Sequence, residues 1–554
     1  MNPYRLLILI LLIISIPLST YAQSRKSSKQ ASDVQGMAKG FVYHDLNANQ
    51  IKEAGEPGIP NVLVSNSVEV AKTDANGYYE LPATGDDIFF VIKPSAWQCP
   101  LNEDNLPQFY YLHKPEGYPA GFKYAGVSPT GPLPSSLDFP LYPVEEDPKF
   151  KAVVFGDPQP YTIEQVDFLG DDIIPELIGQ SDLEFGMTMG DVVGDDLDLY
   201  GPINQLIAKI GIPWYSVLGN HDVNYMAPTD EWADETFNRV FGPATYAFEY
   251  GEVHFIVVDD VIHESKVGSK QYVGGLRPDQ LLFVENYLKY VPKSHLVVLA
   301  MHIPLEKHGK YFRKSDQKAL FDLLQDFPNT LSISAHTHVQ EHKYFHAESS
   351  DWSRDVPHHH FNVGTTSGSW WRGYKNEVDV PMTMMRDGTP NGYAMIAFNG
   401  VDYLIDWKVA GSPESHQMNI HVPRGILAGS TDTTLLTVNF FNGCEQSEVE
   451  YRVEGLTSWK PMAKIKKYDP YYLKVYERWE NLKYLEVPEK WENDPQLVNK
   501  PNIGRPISNP QASAHLWEAD LGTDWPVGRH VIEVRAKDRN GRTYQAIKTF
   551  RVYK

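Results

Sequence analysis

Apolar runs in the middle of the chain each resemble a buried β-strand, and most of them end just before a polar side chain. Segments with helical periodicity lie between several runs, at residues 163–178, 202–210, 277–290 and 315–326. Strands that alternate with helices predict an α/β core, in which helices cover the outside of a sheet sandwich. The strand-like runs are residues 152–155, 185–189, 215–218, 255–258, 296–300 and 331–334.

The polar residues after these strands form an ordered series of oxygen and nitrogen ligands. Because ligand sites in α/β folds gather at the carboxyl ends of strands, we expect segments far apart in sequence to meet. Carboxylate, amide and imidazole groups suit divalent metals, and two metals can share one carboxylate. The series therefore predicts a metal pair that no single segment can hold. The segments are Gly156-Asp157-Pro158-Gln159, Gly190-Asp191, Gly219-Asn220-His221-Asp222, Met301-His302 and Ala335-His336-Thr337-His338.

The flanks of this core predict β-structure. A length of 554 residues suits about three domains. We place an all-β N-terminal domain at residues 37–143, the core at 150–411, and a β-sandwich-like C-terminal domain without helices at 412–554. Asn540-Gly541 predicts a hairpin turn in the last of these. The insert at residues 468–513 shows no clear periodicity.

The N-terminus predicts export. Arg5, the apolar run 6–18 and the small residues ending at Ala22 predict a signal peptide over residues 1–22. The polar residues 23–36 predict a disordered leader. We therefore expect a periplasmic or secreted protein with no transmembrane segment in its mature chain. That compartment permits a disulfide between Cys99 and Cys444, and two buried free thiols are the alternative.

The charge of the chain restricts its partners. A net charge of -21 argues against a nucleic-acid binder that neutralises phosphates with basic side chains. A small phosphorylated substrate remains compatible with an acidic protein, because bound metals would dominate the field inside the site.

In the order of its ligand segments the core resembles the calcineurin-like metallophosphoesterase superfamily. The resemblance covers about residues 150–410 and is most specific in Gly219-Asn220-His221-Asp222 and in His336-Thr337-His338. The domain order resembles an exported bacterial subfamily with β-type N-terminal and C-terminal domains. The resemblance implies a four-layer core, a β-sandwich flanked by helices, and a metal-dependent phosphoric ester hydrolase.

The resemblance also implies a role for each ligand toward two divalent metals, which would be Mn, Fe, Zn or Mg. Asp191 would bridge the metals, and His221 would be the catalytic acid. Two such metals lower the pKa of a shared water, and the hydroxide attacks phosphorus while His221 protonates the leaving oxygen. The first metal would be held by Asp157, Gln159 and His338, and the second by Asn220, His302 and His336.

Two positions depart from the motifs of the superfamily. Gln159 stands where the first motif has His, and its amide is a weaker, uncharged ligand. Gly194 stands where an Asp orients the catalytic His, so Asp195 or Asp196 would take that role if the loop is one residue longer. These departures keep open a catalytically weakened surface-binding protein. Among enzymes, the alternative is a phosphodiesterase or pyrophosphatase acting on nucleotides or lipid head groups.

Two further features are candidate binding sites. Trp371 and Arg372 lie in a glycine-containing loop, where they would stack on a substrate and meet a phosphate, or else join the core to the C-terminal domain. Residues 45–56 follow the spacing of an EF-hand loop except at Gln50, which predicts either a structural calcium site or a solvated polar loop. Its candidate ligands are Asp45, Asn47, Asn49 and Glu56.

Overall fold

The computed structural model describes residues 36–305, 312–429, 433–454, 458–482, 505–522 and 524–554. The predicted signal peptide and the predicted leader up to residue 35 lie outside this part of the chain. Strand β1 begins at Gly36, the last residue assigned to the leader. In the described residues, no helix combines the length and the apolar character that a membrane span needs.

The N-terminal domain is built from two four-stranded sheets. Residues in its strands alternate between buried and less buried, as in β4, where Tyr79, Leu81 and Ala83 are buried. The domain packs on the core through Phe90, whose ring meets Phe283 edge-on at 5.6 Å. The strands are β1 Gly36–His44, β2 Leu63–Ser65, β3 Val70–Lys72, β4 Tyr78–Ala83, β5 Asp87–Ile92, β6 Trp97–Gln98, β7 Tyr110–His113 and β8 Phe139–Pro143, in the sheet orders β4-β1-β8-β6 and β3-β2-β5-β7.

The core strands form two larger sheets and a short hairpin. They are β9 Lys149–Phe155, β10 Leu183–Thr188, β11 Trp214–Ser216, β12 Tyr246–Tyr250, β13 Val253–Val257, β14 Val261–His263, β15 Tyr272–Gly274, β16 Leu296–Ala300, β17 Asn329–Ser334, β18 Glu341–Phe345, β19 His358–Asn362, β20 Gly392–Asn399 and β21 Asp402–Val409. The sheet orders are β11-β10-β9-β20-β21 and β12-β13-β16-β17-β19-β18, with β14 and β15 as the hairpin. Strands β9, β10 and β11 are mutually parallel, and so are β13, β16, β17 and β19.

The core has four layers, which confirms the predicted fold class. The inner faces of the sheets meet through rings such as Phe185 of β10 and Phe255 of β13, 5.3 Å apart. Helices cover the outer faces, and the first begins where the Thr162 side chain accepts a hydrogen bond from the backbone N–H of Gln165. The helices are α1 Ile163–Asp172, α2 Ile174–Leu177, α3 Tyr200–Ile207, α4 Glu235–Phe241, α5 Pro278–Leu288 and α6 Lys314–Leu324.

The C-terminal domain is a sandwich of a four-stranded and a five-stranded sheet. The predicted hairpin turn joins β29 to β30, with Gly541 at a φ of 81°. The strands are β22 Met418–His421, β23 Gly425–Leu427, β24 Leu435–Phe440, β25 Glu448–Val453, β26 Lys460–Pro461, β27 Ala463–Tyr468, β28 Ala512–Asp520, β29 Gly528–Lys537 and β30 Thr543–Tyr553. Cys99 and Cys444 are both buried free thiols.

One helix corrects the prediction that this domain contains none. Helix α7, Pro470–Leu482, begins in the insert that shows no clear periodicity. Asp469 starts it, since its carboxylate accepts the backbone N–H groups of Tyr471 and Tyr472 at 2.9 and 2.8 Å. The helix packs on the core through Trp479, whose ring stacks on Tyr374 at 4.5 Å. Its core-facing side chains, Tyr472, Val475, Tyr476 and Trp479, recur at i, i+3, i+4 and i+7, so the segment carries a helical period that the prediction overlooked.

Candidate metal centre and active site

The predicted ligands all follow the carboxyl ends of parallel strands. Asp157 follows β9, Asp191 follows β10, Asn220 follows β11, His302 follows β16, and His336 and His338 follow β17. Since the two sheets lie face to face, these ends meet at one edge of the sandwich. The fold thus brings together the ligand segments that the sequence places up to about 180 residues apart.

The ligand loops turn sharply at the residues that carry the ligands. Positive φ angles occur at Asp157, Gln159, Asp191, His336 and His338, with values from 34° to 69°. Non-glycine residues rarely adopt this region, and such strain concentrates at binding and catalytic sites. The turns direct each side chain back toward the others.

Three ligand atoms converge on the Nε2 atom of His302. Asn220 Oδ1 lies 3.1 Å from it, His336 Nδ1 3.2 Å and Asp191 Oδ1 3.4 Å. Ligand atoms of Asp191, His302 and His336 all lie within 4.8 Å of one another. Burial disfavours the protonated form of His302, but the Asp191 carboxylate outweighs this effect and raises the pKa of His302 to about 10. The same clustering of acceptor atoms around Nε2 fits a divalent cation.

The second imidazole nitrogens fix how His302 and His338 are oriented. His302 Nδ1 lies 2.9 Å from the carbonyl oxygen of Met189, and His338 Nδ1 lies 2.7 Å from that of Gly368. A carbonyl oxygen only accepts, so Nδ1 carries the proton in both residues. This outer hydrogen bond turns Nε2 into the site, as is typical of histidines that bind metals.

The other half of the site brings acceptor atoms face to face. His338 Nε2 lies 3.0 Å from Gln159 Oε1 and 3.2 Å from Asp157 Oδ2. Burial lowers the pKa of His338 to about 3, so its Nε2 atom carries no proton at neutral pH. Asp157 Oδ2 is buried and has no hydrogen-bond partner. Burial raises the pKa of the Asp157 carboxyl to about 7, so this carboxyl is partly protonated at neutral pH. A cation between the three atoms would replace that proton, and both halves of the site therefore fit divalent metals.

Gln159 and Gly194 are accommodated by one tyrosine. The Gln159 amide donates to Asp191 Oδ2 at 3.2 Å and to the Tyr161 hydroxyl at 3.3 Å, which leaves Oε1 facing His338. The Tyr161 ring lies on Gly194, where an added Cβ would approach the ring within 2.7 Å. A carboxylate at position 194 therefore has no room while Tyr161 occupies this place.

The neighbouring Asp195 supplies the carboxylate that Gly194 lacks. Asp195 Oδ1 lies 2.6 Å from His221 Nδ1, and Asp195 also accepts hydrogen bonds from Tyr225 and Lys270 at 2.8 and 2.6 Å. The His221 backbone N–H donates to Asp191 Oδ1 at 2.8 Å, and a quarter of its side chain is exposed. Burial opposes protonation of His221, but the carboxylates of Asp191 and Asp195 raise its pKa. The imidazole is thus fixed beside the ligands and open to the cleft.

The substrate wall differs from the prediction. Trp371 is only 2% exposed, and its indole N–H donates to the Pro158 carbonyl at 2.7 Å, so it supports the ligand loop from inside and cannot stack on a substrate. Its neighbour Trp370 stacks on the His338 ring at 3.9 Å instead. Arg372 is exposed, with its guanidinium 5.8 Å from the Trp370 ring. Two adjacent aromatic residues in a loop give no periodicity from which burial could be predicted.

Two supporting carboxylates, Asp222 and Asp260, were given no role from the sequence. Asp222 accepts the backbone N–H groups of Gly219 and Val192 at 2.8 and 3.1 Å, which ties the loops after β10 and β11 together. Asp260 accepts the N–H groups of His302 and Ile303. Asp222 is the last residue of the motif Gly219-Asn220-His221-Asp222, and Asp260 lies three residues after the end of β13, so a position beside a ligand segment or a strand end was the available signal.

The predicted calcium ligands lie together in the loop formed by residues 45–56. Asp45 accepts the Gln50 N–H at 2.8 Å and the Tyr142 hydroxyl at 2.9 Å, and Glu56 accepts the Leu46 N–H at 3.0 Å. The Asn49 side chain accepts the Ile51 N–H, while the Asn47 amide donates to Glu53. Hydrogen bonds thus already close this loop, and calcium binding there stays a prediction.

Three family models match the chain in its predicted domain order. They are the N terminal of Calcineurin-like phosphoesterase at residues 46–126, Calcineurin-like phosphoesterase at 150–340, and the C terminal of Calcineurin-like phosphoesterase at 360–544. The chain therefore belongs to the calcineurin-like phosphoesterase family, whose members are metal-dependent phosphoester hydrolases.

Similarity to individual proteins is limited. Colossin-A of Dictyostelium discoideum is 42% identical over 57 residues. These residues make up 10% of this chain and, rounded to a whole number, 0% of Colossin-A. A purple acid phosphatase of yellow lupin (Lupinus luteus) seeds is 12% identical, with a TM-score of 0.33 over 63% of this chain and 67% of that one. PhoD is 11% identical, with a TM-score of 0.35 over 74% of this chain and 90% of that one. The family assignment rests on the three model matches.

Proposed function

We propose that the chain hydrolyses a small phosphate ester with two divalent metals and with His221 as the proton donor. The observation that carries the proposal is the position of His221, which lies against Asp191 and Asp195 but is not among the converging ligand atoms. A histidine held beside a metal site and left free of it is suited to act on the substrate.

The ligands divide between the two metals as the two halves of the site suggest. Asp157, Gln159 and His338 would hold one metal, Asn220, His302 and His336 the other, with Asp191 between them. When bound, two divalent metals supply Lewis acidity toward the phosphoryl oxygens and a water of lowered pKa.

The protein's own residues would orient the reacting groups and donate the proton. Because His221 Nδ1 is engaged by the Asp195 carboxylate, Nε2 is the atom that can give a proton to the leaving oxygen. Tyr225 and Lys270 keep Asp195 in place, so the imidazole enters the reaction already oriented. The exposed Arg372 would meet a phosphoryl oxygen beyond the metals.

Metal content and turnover together test the proposal. The chain purified with Mn, Fe, Zn or Mg should hold about two metals and should hydrolyse p-nitrophenyl phosphate or bis-p-nitrophenyl phosphate, and the preferred compound would separate a monoesterase from a diesterase. His221→Ala should lose at least about 100-fold in kcat with unchanged metal content. Turnover unaffected by this substitution would refute the role of His221. Absence of both metal and turnover would favour a surface-binding protein.

We also propose that the mature chain is exported. Arg5, the apolar run 6–18 and the small residues before Gln23 support this. Mass spectrometry of the chain recovered from the periplasm or medium should give Gln23 as its first residue. A cytoplasmic chain that retains residues 1–22 would contradict export.

A further inference from the structure

A cavity of about 870 Å³ opens at the end of the core opposite the metal ligands. Lys149 and Lys151 lie at the amino end of β9, whose carboxyl end leads to Asp157. Asn329 lines the cavity at the amino end of β17, which leads to His336. A strand of this length spans about 20 Å, so the cavity is separate from the candidate active site.

The walls of the cavity are rich in aromatic and apolar groups. Phe150 and Phe398 come from one sheet, and Tyr344 and Trp352 lie on the side of the other sheet. Val356, which also lines the cavity, is 65% exposed. Sites for small molecules are typically about 300–1,000 Å³ and mainly apolar, with a few polar groups that orient the ligand.

Arg539, from the turn between β29 and β30, supplies the main charged group of this wall. Its guanidinium lies over the rings of Tyr403 and Tyr344, at 5.3 and 5.8 Å. Its Nη1 atom contacts the Tyr344 hydroxyl at 3.0 Å and His359 Nδ1 at 2.8 Å. Within the described part of the chain no carboxylate pairs with Arg539. A partly buried cation normally has a counter-ion, and this one has only neutral partners.

The histidines behind Arg539, His359 and His342, are both neutral, so they do not balance its charge. A guanidinium only donates hydrogen bonds, so His359 Nδ1 accepts from it and His359 Nε2 carries the proton. That proton is directed to His342 Nδ1 at 3.0 Å, and His342 Nε2 donates to Asn442 Oδ1 at 2.7 Å. This series of hydrogen bonds is consistent only with neutral imidazoles at His342 and His359. This network fixes Arg539 at the wall of the cavity, where its guanidinium also hydrogen-bonds the Tyr403 side chain. An anionic ligand in the cavity would meet a guanidinium whose partners are neutral.

The balance of charge around the cavity differs from that of the whole protein. Three cationic side chains line it, Lys149, Lys151 and Arg539, against two carboxylates, Asp182 and Asp402. Lys151 pairs with Asp182 at 2.5 Å, which leaves the other two cations without that partner. In a chain with a net charge of -21, a local excess of positive charge favours an anion at this position.

We propose that this cavity binds a small molecule with a flat, largely apolar body and one anionic group, and that the anionic group pairs with Arg539. The body would lie between the aromatic side chains of the two sheets. Because Arg539, Asn540 and Gln446 belong to the C-terminal domain and the other lining residues to the core, the ligand would contact both domains.

Two fluorescent probes test the proposal on the full chain. 1-Anilinonaphthalene-8-sulfonate has an aromatic body and one anionic group, and N-phenyl-1-naphthylamine has the same body without the charge. The sulfonate should bind with one site per chain. Arg539→Gln should weaken its binding at least tenfold while changing that of the neutral probe less than twofold. Arg535→Gln is the matched control, because Arg535 lies on β29, four residues before Arg539, pairs with Glu450 and does not line the cavity.

A second variant tests the location independently of Arg539. Val401 lines the cavity, so Val401→Trp should fill it and weaken both probes. Equal binding of the sulfonate to the parent and to Arg539→Gln, or to the parent and to Val401→Trp, would overturn the proposal. If sedimentation shows a dimer that Val401→Trp dissociates, a second copy of the chain covers the cavity and the proposal is wrong. Hydrolysis of p-nitrophenyl phosphate should persist in all variants, so this test is independent of the proposed catalytic function.

Discussion

The carboxylate of Asp195 should control how fast the enzyme turns over. Its Oδ1 atom lies 2.6 Å from His221 Nδ1, a hydrogen bond between ionisable groups. Hydrogen bonds to charged groups contribute about 1.5–3 kcal/mol, which corresponds to about 10- to 100-fold in rate if the bond is needed in the transition state. Asp195→Ala should therefore lower kcat by up to about 100-fold. Asp195→Asn keeps a neutral acceptor for Nδ1 and should lose about tenfold.

Asp196 provides the matched control for this prediction. It is the other carboxylate that the sequence offers for the orienting role, but its Oδ1 atom accepts the Tyr124 hydroxyl at 3.2 Å instead. Asp196→Asn should leave kcat within about twofold of the parent value. The assay is steady-state hydrolysis of p-nitrophenyl phosphate at saturating metal, with metal content measured on the same samples. A larger loss from Asp196→Asn than from Asp195→Asn, or a loss explained by missing metal, would refute the assignment.

Three other outcomes follow from particular contacts. Gln159→His should slow metal release to a chelator about tenfold, since an imidazole replaces an uncharged amide, and faster release would argue against Gln159 as a ligand. Gly194→Asp should destabilise the fold by about 1–3 kcal/mol through its clash with Tyr161, and adding Tyr161→Ala should restore the melting temperature; no loss in the single variant would contradict the packing. Burial lowers the pKa of His358 to about 3, so below about pH 6.5 the unfolded chain takes up a proton that the folded chain does not. The free energy of unfolding should thus fall toward pH 4 by about 1.4 kcal/mol per pH unit for this residue. When the free energy of unfolding is measured with urea at several pH values, it should depend less steeply on pH in His358→Asn than in the parent.

The sequence allowed the fold class and the composition of the site to be predicted for definite reasons. Buried strands have a recognisable apolar pattern, and ligands placed after the ends of parallel strands must meet when the strands form sheets. Helix α7 escaped prediction although its core-facing residues have helical spacing, because the insert around it is rich in proline, aromatic and charged residues. Packing on Tyr374 and the Asp469 cap hold it in place. The role of Trp371 stayed open between a substrate wall and a packing contact, because adjacent loop residues carry no signal of which side chain is buried.

The sequence by itself determined the order and chemical type of the ligands, because these depend on residue identity and on strand periodicity. Only the tertiary structure decided which carboxylate reaches His221, since that depends on how Tyr161 fills the space over Gly194. It also decided that Trp370 and not Trp371 lies beside His338, and that Arg539 reaches a cavity of the core from another domain. These are contacts between segments distant in the chain, and their geometry is fixed by packing rather than by local sequence.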